Sequence, residues 1–326
     1  MIVYNDIKRQ FVNDVKDNSI ADKILEAIKM RGLNAGHEKE YSSWQNSMQF
    51  MRNIVDDSDI DDEVRICIEY NIPLTSKRVD FIIAGADNYG KDNIVIVELK
   101  QWQKAEVVAD DMHYCVRTYV ANSDRIVCHP SYQAYSYSCF LRNYSQSLTD
   151  EDISLIPCAY LHNYQPEYRQ TLSNPIYKEW TGLAPFFIQN EVGAFSDFVK
   201  KYITKKSSKG DLLYLIDHGR LRPTKALQDS LASMVKGNKE FMLLDEQAVC
   251  FDMCLKTMSQ CLKDKKKRTI IIQGGPGTGK SVLAVNLLME YINQSLNASY
   301  VTKNSAPREA FLRLLTKSDA KKLVNI

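Results

Sequence analysis

The chain has 326 residues, 44% of them hydrophobic and 25% charged, with a net charge of +2. That length allows two or three domains with sizeable cores, and a charge so near balance confines any nucleic-acid contact to local patches. No run approaches a membrane span and no early stretch joins a basic start to an apolar core as a secretory leader does, so the chain is expected in the cytoplasm, with its eight cysteines reduced.

Residues 17–31 place Ile20, Ile24, Leu25 and Ile28 at helical spacing. A second helix is expected over 40–55, followed by an acidic loop at 56–63. "VRICIEY" (64–70) alternates apolar and polar residues like a half-buried strand. "RVDFIIAG" (78–85) and "NIVIVELK" (93–100) continue it as a three-stranded meander. Helices are expected over 106–120 and 130–148 around a short strand "RIVC", then strands at 154–164 and 184–188 and a helix at 193–203. The stretch "KKSSKGD" (205–211) reads as a linker. Helices at 224–237 and 245–262 precede "TIIIQ" (269–273), expected as a strand, a glycine-rich loop and a further helix. A strand at 298–303 and a helix at 306–317 complete the pattern. Cys250, Cys254 and Cys261 lack the spacing of a zinc or iron–sulfur site and suit one apolar helix face.

Charge at the end of an apolar strand calls for a partner. Glu98 and Lys100 are two apart in their strand, so they share a face. Asp80 heads the preceding strand and can converge with them. Adjacent carboxylates repel unless a cation separates them, and Mg²⁺ (or Mn²⁺) takes such hard oxygen ligands while keeping waters. Lys100 can then stabilise charge on a phosphate. The plainer alternative is a structural ion pair between Lys100 and Glu98 or Asp80.

This Asp…Glu-x-Lys arrangement, after a helix and within a meander, resembles the PD-(D/E)XK nuclease superfamily, although Val79 stands where the motif name has Pro. The resemblance implies Glu40 on the preceding helix as a further acidic metal ligand, with Glu38 as its rival. Gln133 and Tyr137, one helical turn apart, resemble the Q-x-x-x-Y pair of RecB-type nucleases, which contacts the substrate strand. Ordinary helix packing is the alternative for that pair. His129, just before Pro130, reads as a residue that opens a helix.

"GGPGTGKS" (274–281) fits the phosphate-cradling pattern G-x-x-x-x-G-K-[ST]. Gly274, Gly275, Pro276, Gly277, Thr278 and Gly279 form the turn, Lys280 supplies a cation for β/γ oxygens, and Ser281 can ligate Mg²⁺ of bound ATP. Gln247 resembles the adenine-reading glutamine of superfamily 1 helicases. The order of "EYSSW", "IEYNIPLTSKRVD", "IVELKQW", "HPSYQAYSY", "CAYLHNY", "GRLRPTKALQDSL", "LLDEQ" and the phosphate loop resembles the Schlafen group 3-like DNA/RNA helicase family carrying an N-terminal nuclease.

The expected architecture is α/β: a restriction-endonuclease-like PD-(D/E)XK domain over 1–205, a helical linker over 206–238, and the first part of a RecA-like P-loop domain over 239–326. The family resemblance implies a Mg²⁺-dependent nuclease acting on nucleic acid, DNA ahead of RNA, with a role in antiviral defence. It sets no oligomeric state. The 45 residues after Ser281 carry no acidic pair in an apolar strand, so the chain is expected to hold ATP without turning it over, its motor truncated. A non-cleaving nucleic-acid-binding module and a nucleotide-regulated switch are the competing readings; the switch leaves Asp80 and Glu98 unexplained.

Overall fold

The computed structural model describes residues 2–32, 38–73, 75–108, 112–120, 122–219 and 242–301, the side chains of 38, 39 and 149 excepted. The apolar runs pair as expected: β2 (Arg65–Asn71), β3 (Arg78–Ala86) and β4 (Asp92–Lys100) form an antiparallel meander. Strand β1 (Ile2–Ile7) adds antiparallel to β2. Beyond β4 the chain makes β5 (Ala105–Val107), β6 (Cys115–Val120) and β7 (Ser123–Cys128), then returns with β8 (Ser154–Leu161) parallel to β4 and β9 (Phe186–Ile188) parallel to β8. The result is a mixed α/β fold around a six-stranded mixed sheet, order β1-β2-β3-β4-β8-β9, plus a three-stranded sheet β5-β6-β7.

Helices α1 (Lys8–Lys16), α2 (Ile20–Met30), α3 (Glu38–Val55) and, later, α8 (Val192–Tyr202) share one hydrophobic cluster with the large sheet. Phe81, Ile83, Val95 and Val97 fill its centre, and Phe11 meets Phe81 edge-on at 5.3 Å between ring centroids. Each such side chain contributes about 1.5–3 kcal/mol by leaving water. Helix α4 (Pro130–Tyr144), none of whose residues joins that cluster, packs on β4 and β8 from the other side. Short helices α5 (Gln146–Asp150), α6 (Arg169–Leu172) and α7 (Lys178–Leu183) fill the remaining connections, and α9 (Leu212–His218) follows α8.

Three expectations are corrected. Strand β2 is buried on both faces rather than one, because it lies inside the sheet between β1 and β3. Residues 106–120, expected as a helix, supply β5 and β6; Val107, Val116, Thr118 and Val120 are β-branched and fit a pleated surface better than a helix. Residues 269–273 and 298–301 form no strand: nothing among the described residues pairs with them, and Ile270, Ile271 and Ile272 stand exposed. The helices expected at 224–237 and 306–317 lie outside the described residues, as do Thr302 and Lys303 of the last expected strand.

The stretch 205–211 is pinned to the sheet. Lys205 and Ala86 exchange backbone hydrogen bonds at 2.7 and 2.9 Å. A Cβ on Gly85 would come within 2.5 Å of the Lys205 carbonyl oxygen, so only glycine permits the approach. Asp211 then caps α9 by accepting from the Leu213 and Tyr214 N–H groups. The chain divides into two units: Met1–Val107, Val116–Arg125 and His129–Arg222 form one, and Val108–Cys115, Ile126–Cys128 and Pro223–Ile326 the other. Among the described residues, no helix is long and apolar enough to cross a membrane.

His129 opens α4 as its N-cap. Nδ1 accepts from the Ser131 N–H at 3.2 Å, and Nε2 donates to the Leu172 carbonyl at 3.1 Å. Both nitrogens are used by the neutral ring, and burial pushes its pKa down to about 3. Unfolded, the ring protonates near pH 6.5. Its contribution to stability is therefore complete above that pH and is lost as pH falls toward 3, by at most about 1.4 kcal/mol per pH unit. His129→Asn keeps a capping oxygen without the titration. Melting curves between pH 7 and 4 should show a shallower acid slope for this variant; parallel slopes would contradict the assignment.

Candidate active site

The cleft of interest lies where β2, β3 and β4 approach the N-terminal half of α3. The β3–β4 register pairs Phe81 with Val97, and one step further along it Asp80 stands beside Glu98. The two are thus cross-strand neighbours whose side chains line the same cleft. The Leu99 N–H donates to Asp80 Oδ2 at 2.8 Å, and Lys100 Nζ donates to Glu98 Oε1 at 2.5 Å. Asp80, Glu98 and Lys100 thus line one cleft of about 370 Å³, together with Glu40, Trp44, Glu69, Arg78 and Gln133.

The electrostatics are those of crowded acid. Burial raises the Asp80 pKa above the ordinary carboxylate value, against the pull of Lys100, the Leu99 N–H and Arg78. Two adjacent carboxylates repel unless a proton or a cation separates them. The donor set fits a hard divalent ion, which Mg²⁺ sites commonly hold through one or two carboxylates plus waters. Asp80 and Glu98 would be the holders. Among the described residues, no group of three or more His, Cys, Asp or Glu side chains is gathered to hold a metal. Glu40 lines the cleft, but its Oε1 is 3.3 Å from Arg78 Nη2. The side chain of Glu38 is outside the described set.

Gln133 reaches the cleft from α4, and its Nε2 donates to the Tyr137 hydroxyl at 3.0 Å. Tyr137 itself is buried, so it braces Gln133 rather than facing the opening. Sequence reasoning missed Glu69, Trp44 and Arg78. Glu69 Oε1 accepts from Trp44 Nε1 at 2.8 Å, and Oε2 lies 3.0 Å from Arg78 Nη1. Burial, then the neighbouring Asp80, raise its pKa to about 7. The signal was available, since Glu69 is a charge in an otherwise apolar strand, as Glu98 is.

The second unit carries α10 (Glu246–Asp264) and α11 (Lys280–Asn293). Cys250, Cys254 and Cys261 all fall on α10 as free thiols, with Cys254 buried. The loop 274–281 runs directly into α11, with Gly277 and Gly279 at φ +73° and +82°. Lys280 Nζ donates to the Gly274 and Gly275 carbonyls at 2.8 and 2.6 Å, and Thr278 Oγ1 donates to the Gly275 carbonyl. Ser281 is exposed in the first turn of α11. Gln247, near the start of α10, donates from Nε2 to the Thr278 carbonyl at 3.0 Å while its Oε1 accepts from the Leu244 N–H. The glutamine singled out from sequence therefore rests on the loop.

The fold and cleft thus define a mixed α/β protein with a two-carboxylate, one-lysine site and a separate glycine-rich loop at a helix N-terminus. Residues 267–325 match the family described as Schlafen group 3, DNA/RNA helicase domain. That match covers the loop and α11 and ties the protein to nucleic-acid-related function. No curated protein and no solved structure matches the chain.

Proposed function

We propose that the protein is a divalent-metal-dependent nuclease that cleaves phosphodiester bonds of DNA or RNA and carries a helicase-type ATP-binding segment. The observation that supports this reading is the convergence of Asp80 and Glu98 from adjacent strands on a cleft they share with Lys100. A bound Mg²⁺ or Mn²⁺ would supply positive charge to the phosphate and acidify a coordinated water. Asp80 and Glu98 would hold it, with Asp80 oriented by the Leu99 N–H. Lys100 would trade its bond with Glu98 for the developing charge on the phosphate. Gln133, braced by Tyr137, would steady the substrate strand from the α4 side of the cleft. In the second unit the 274–281 loop would take ATP phosphates, with Lys280 released from its loop carbonyls, and Gln247 would sense the base.

The decisive experiment digests plasmid and oligonucleotide substrates, DNA and RNA, with Mg²⁺, with Mn²⁺ and with EDTA. Cleavage is expected with either ion, abolished by EDTA and independent of ATP. Binding without cleavage under every condition would instead establish the non-cleaving module.

A further inference from the structure

Glu69 has φ +57°, a left-handed backbone in the interior of β2. Its neighbours keep regular pairing, Ile68 with Phe81 and Tyr70 with Val79, so the strand does not end there. For a residue with a Cβ this conformation costs about 1–2 kcal/mol, and strain of this kind persists where the surroundings over-determine it, often at functional sites. Here the strained residue holds a guanidinium. The Glu69 side chain is 11% exposed and anchored by Trp44, whereas Arg78, which it grips, is 32% exposed and lines the cleft. Arg78 lies two residues before Asp80 in β3, on the same face. Its second carboxylate partner, Glu40, is 43% exposed.

We propose that Arg78 is a substrate-binding residue that takes a backbone phosphate of the nucleic acid in the Asp80–Glu98 cleft, and that Glu69 is its positioning residue. The proposal rests on the nucleic-acid reading above and adds the group that seats the strand. A guanidinium presents five N–H donors in a planar fork suited to phosphate. Glu69 keeps one side of that fork fixed, while the more exposed Glu40 yields its place to the phosphate. A purely structural ion pair gives no reason to bury the carboxylate, strain its backbone and leave the cation facing the cleft.

The test is oligonucleotide binding in EDTA, which needs no cleavage, titrated over a series of salt concentrations. Arg78→Gln should weaken binding and make the log–log salt slope shallower by about 0.9 on duplex, the equivalent of one phosphate contact. Lys206→Gln removes the same charge beside Glu63, at the other end of β2, and should leave the slope unchanged. Arg78→Lys retains the charge without the fork and should also bind more weakly. Glu69→Gln should move the slope toward that of Arg78→Gln. Wild-type slopes in Arg78→Gln, or wild-type affinity in Arg78→Lys should Arg78→Gln not fold, would overturn the proposal and leave the metal-dependent reading standing. No binding by the wild-type chain in EDTA would also overturn the proposal, and cleavage with Mg²⁺ would still decide the metal-dependent reading.

Discussion

Asp80→Asn should lower metal-dependent cleavage by at least about 10²-fold and, in the same protein, raise the melting temperature measured in EDTA. The two effects have one cause. Asp80 stands beside Glu98 across β3–β4 and beside Glu69 across β2–β3, and burial already disfavours its charge. An asparagine keeps an oxygen for the Leu99 N–H and removes the charge that burial disfavours. Lys100→Ala should lose a similar amount of activity but shift stability the other way, because it strips Glu98 of the ammonium at 2.5 Å. Opposite stability shifts with a common loss of activity are what a charge-strained site produces. Cleavage that survives both substitutions would remove these residues from the chemistry.

The pH dependence follows from the same crowding. Glu69 has a folded pKa of about 7 against an ordinary 4.5. Its protonated form favours the fold, so that contribution is full below pH 4.5 and is lost as pH rises through 7. Asp80 is the second-largest cause of the shift. Asp80→Asn should therefore flatten the stability profile across that window.

How much of this was legible in the sequence depended on how local each feature is. The loop 274–281 and its helix are set by neighbouring residues, and both appear where the pattern placed them. Asp80, Glu98 and Lys100 were readable because charges at the end of apolar strands need a partner, and the hairpin connection fixes which strands adjoin. Glu69 obeyed the same rule but was absorbed into an alternating pattern, which hid both its burial and its left-handed backbone. The 106–120 segment was misread because its apolar residues satisfy a helical period as well as a strand period, and β5–β7 pairing decides between them. "TIIIQ" has strand chemistry, yet a strand exists only when another pairs with it. The grip of Arg78 on Glu40 and Glu69 joins α3, β2 and β3, and no local spacing announces it.

In the 274–281 loop the largest expected effect belongs to Gly279→Ala. Gly279 sits at φ +82°, and a Cβ there would stand 2.4 Å from Gln247 Nε2. The backbone cost alone is about 1–2 kcal/mol for a side chain in the left-handed region, and the collision adds to it. The alanine must either turn the loop out of its cradle or push Gln247 off the Thr278 carbonyl. Affinity for ATP should fall by more than about tenfold, since 1.4 kcal/mol is a factor of ten. Gly277 separates the two contributions: its φ is +73°, but nothing lies within 4 Å of an added Cβ. Gly277→Ala should therefore show the backbone cost without the collision and bind more tightly than Gly279→Ala. Gln247→Ala removes the clashing amide, so the double variant Gln247→Ala/Gly279→Ala should lose less than the two single losses together. Equilibrium binding of a fluorescent ATP analogue to the whole chain measures all four. Strictly additive losses, or wild-type affinity in Gly279→Ala, would mean that ATP does not use the loop in this conformation and that Gln247 does not act through it.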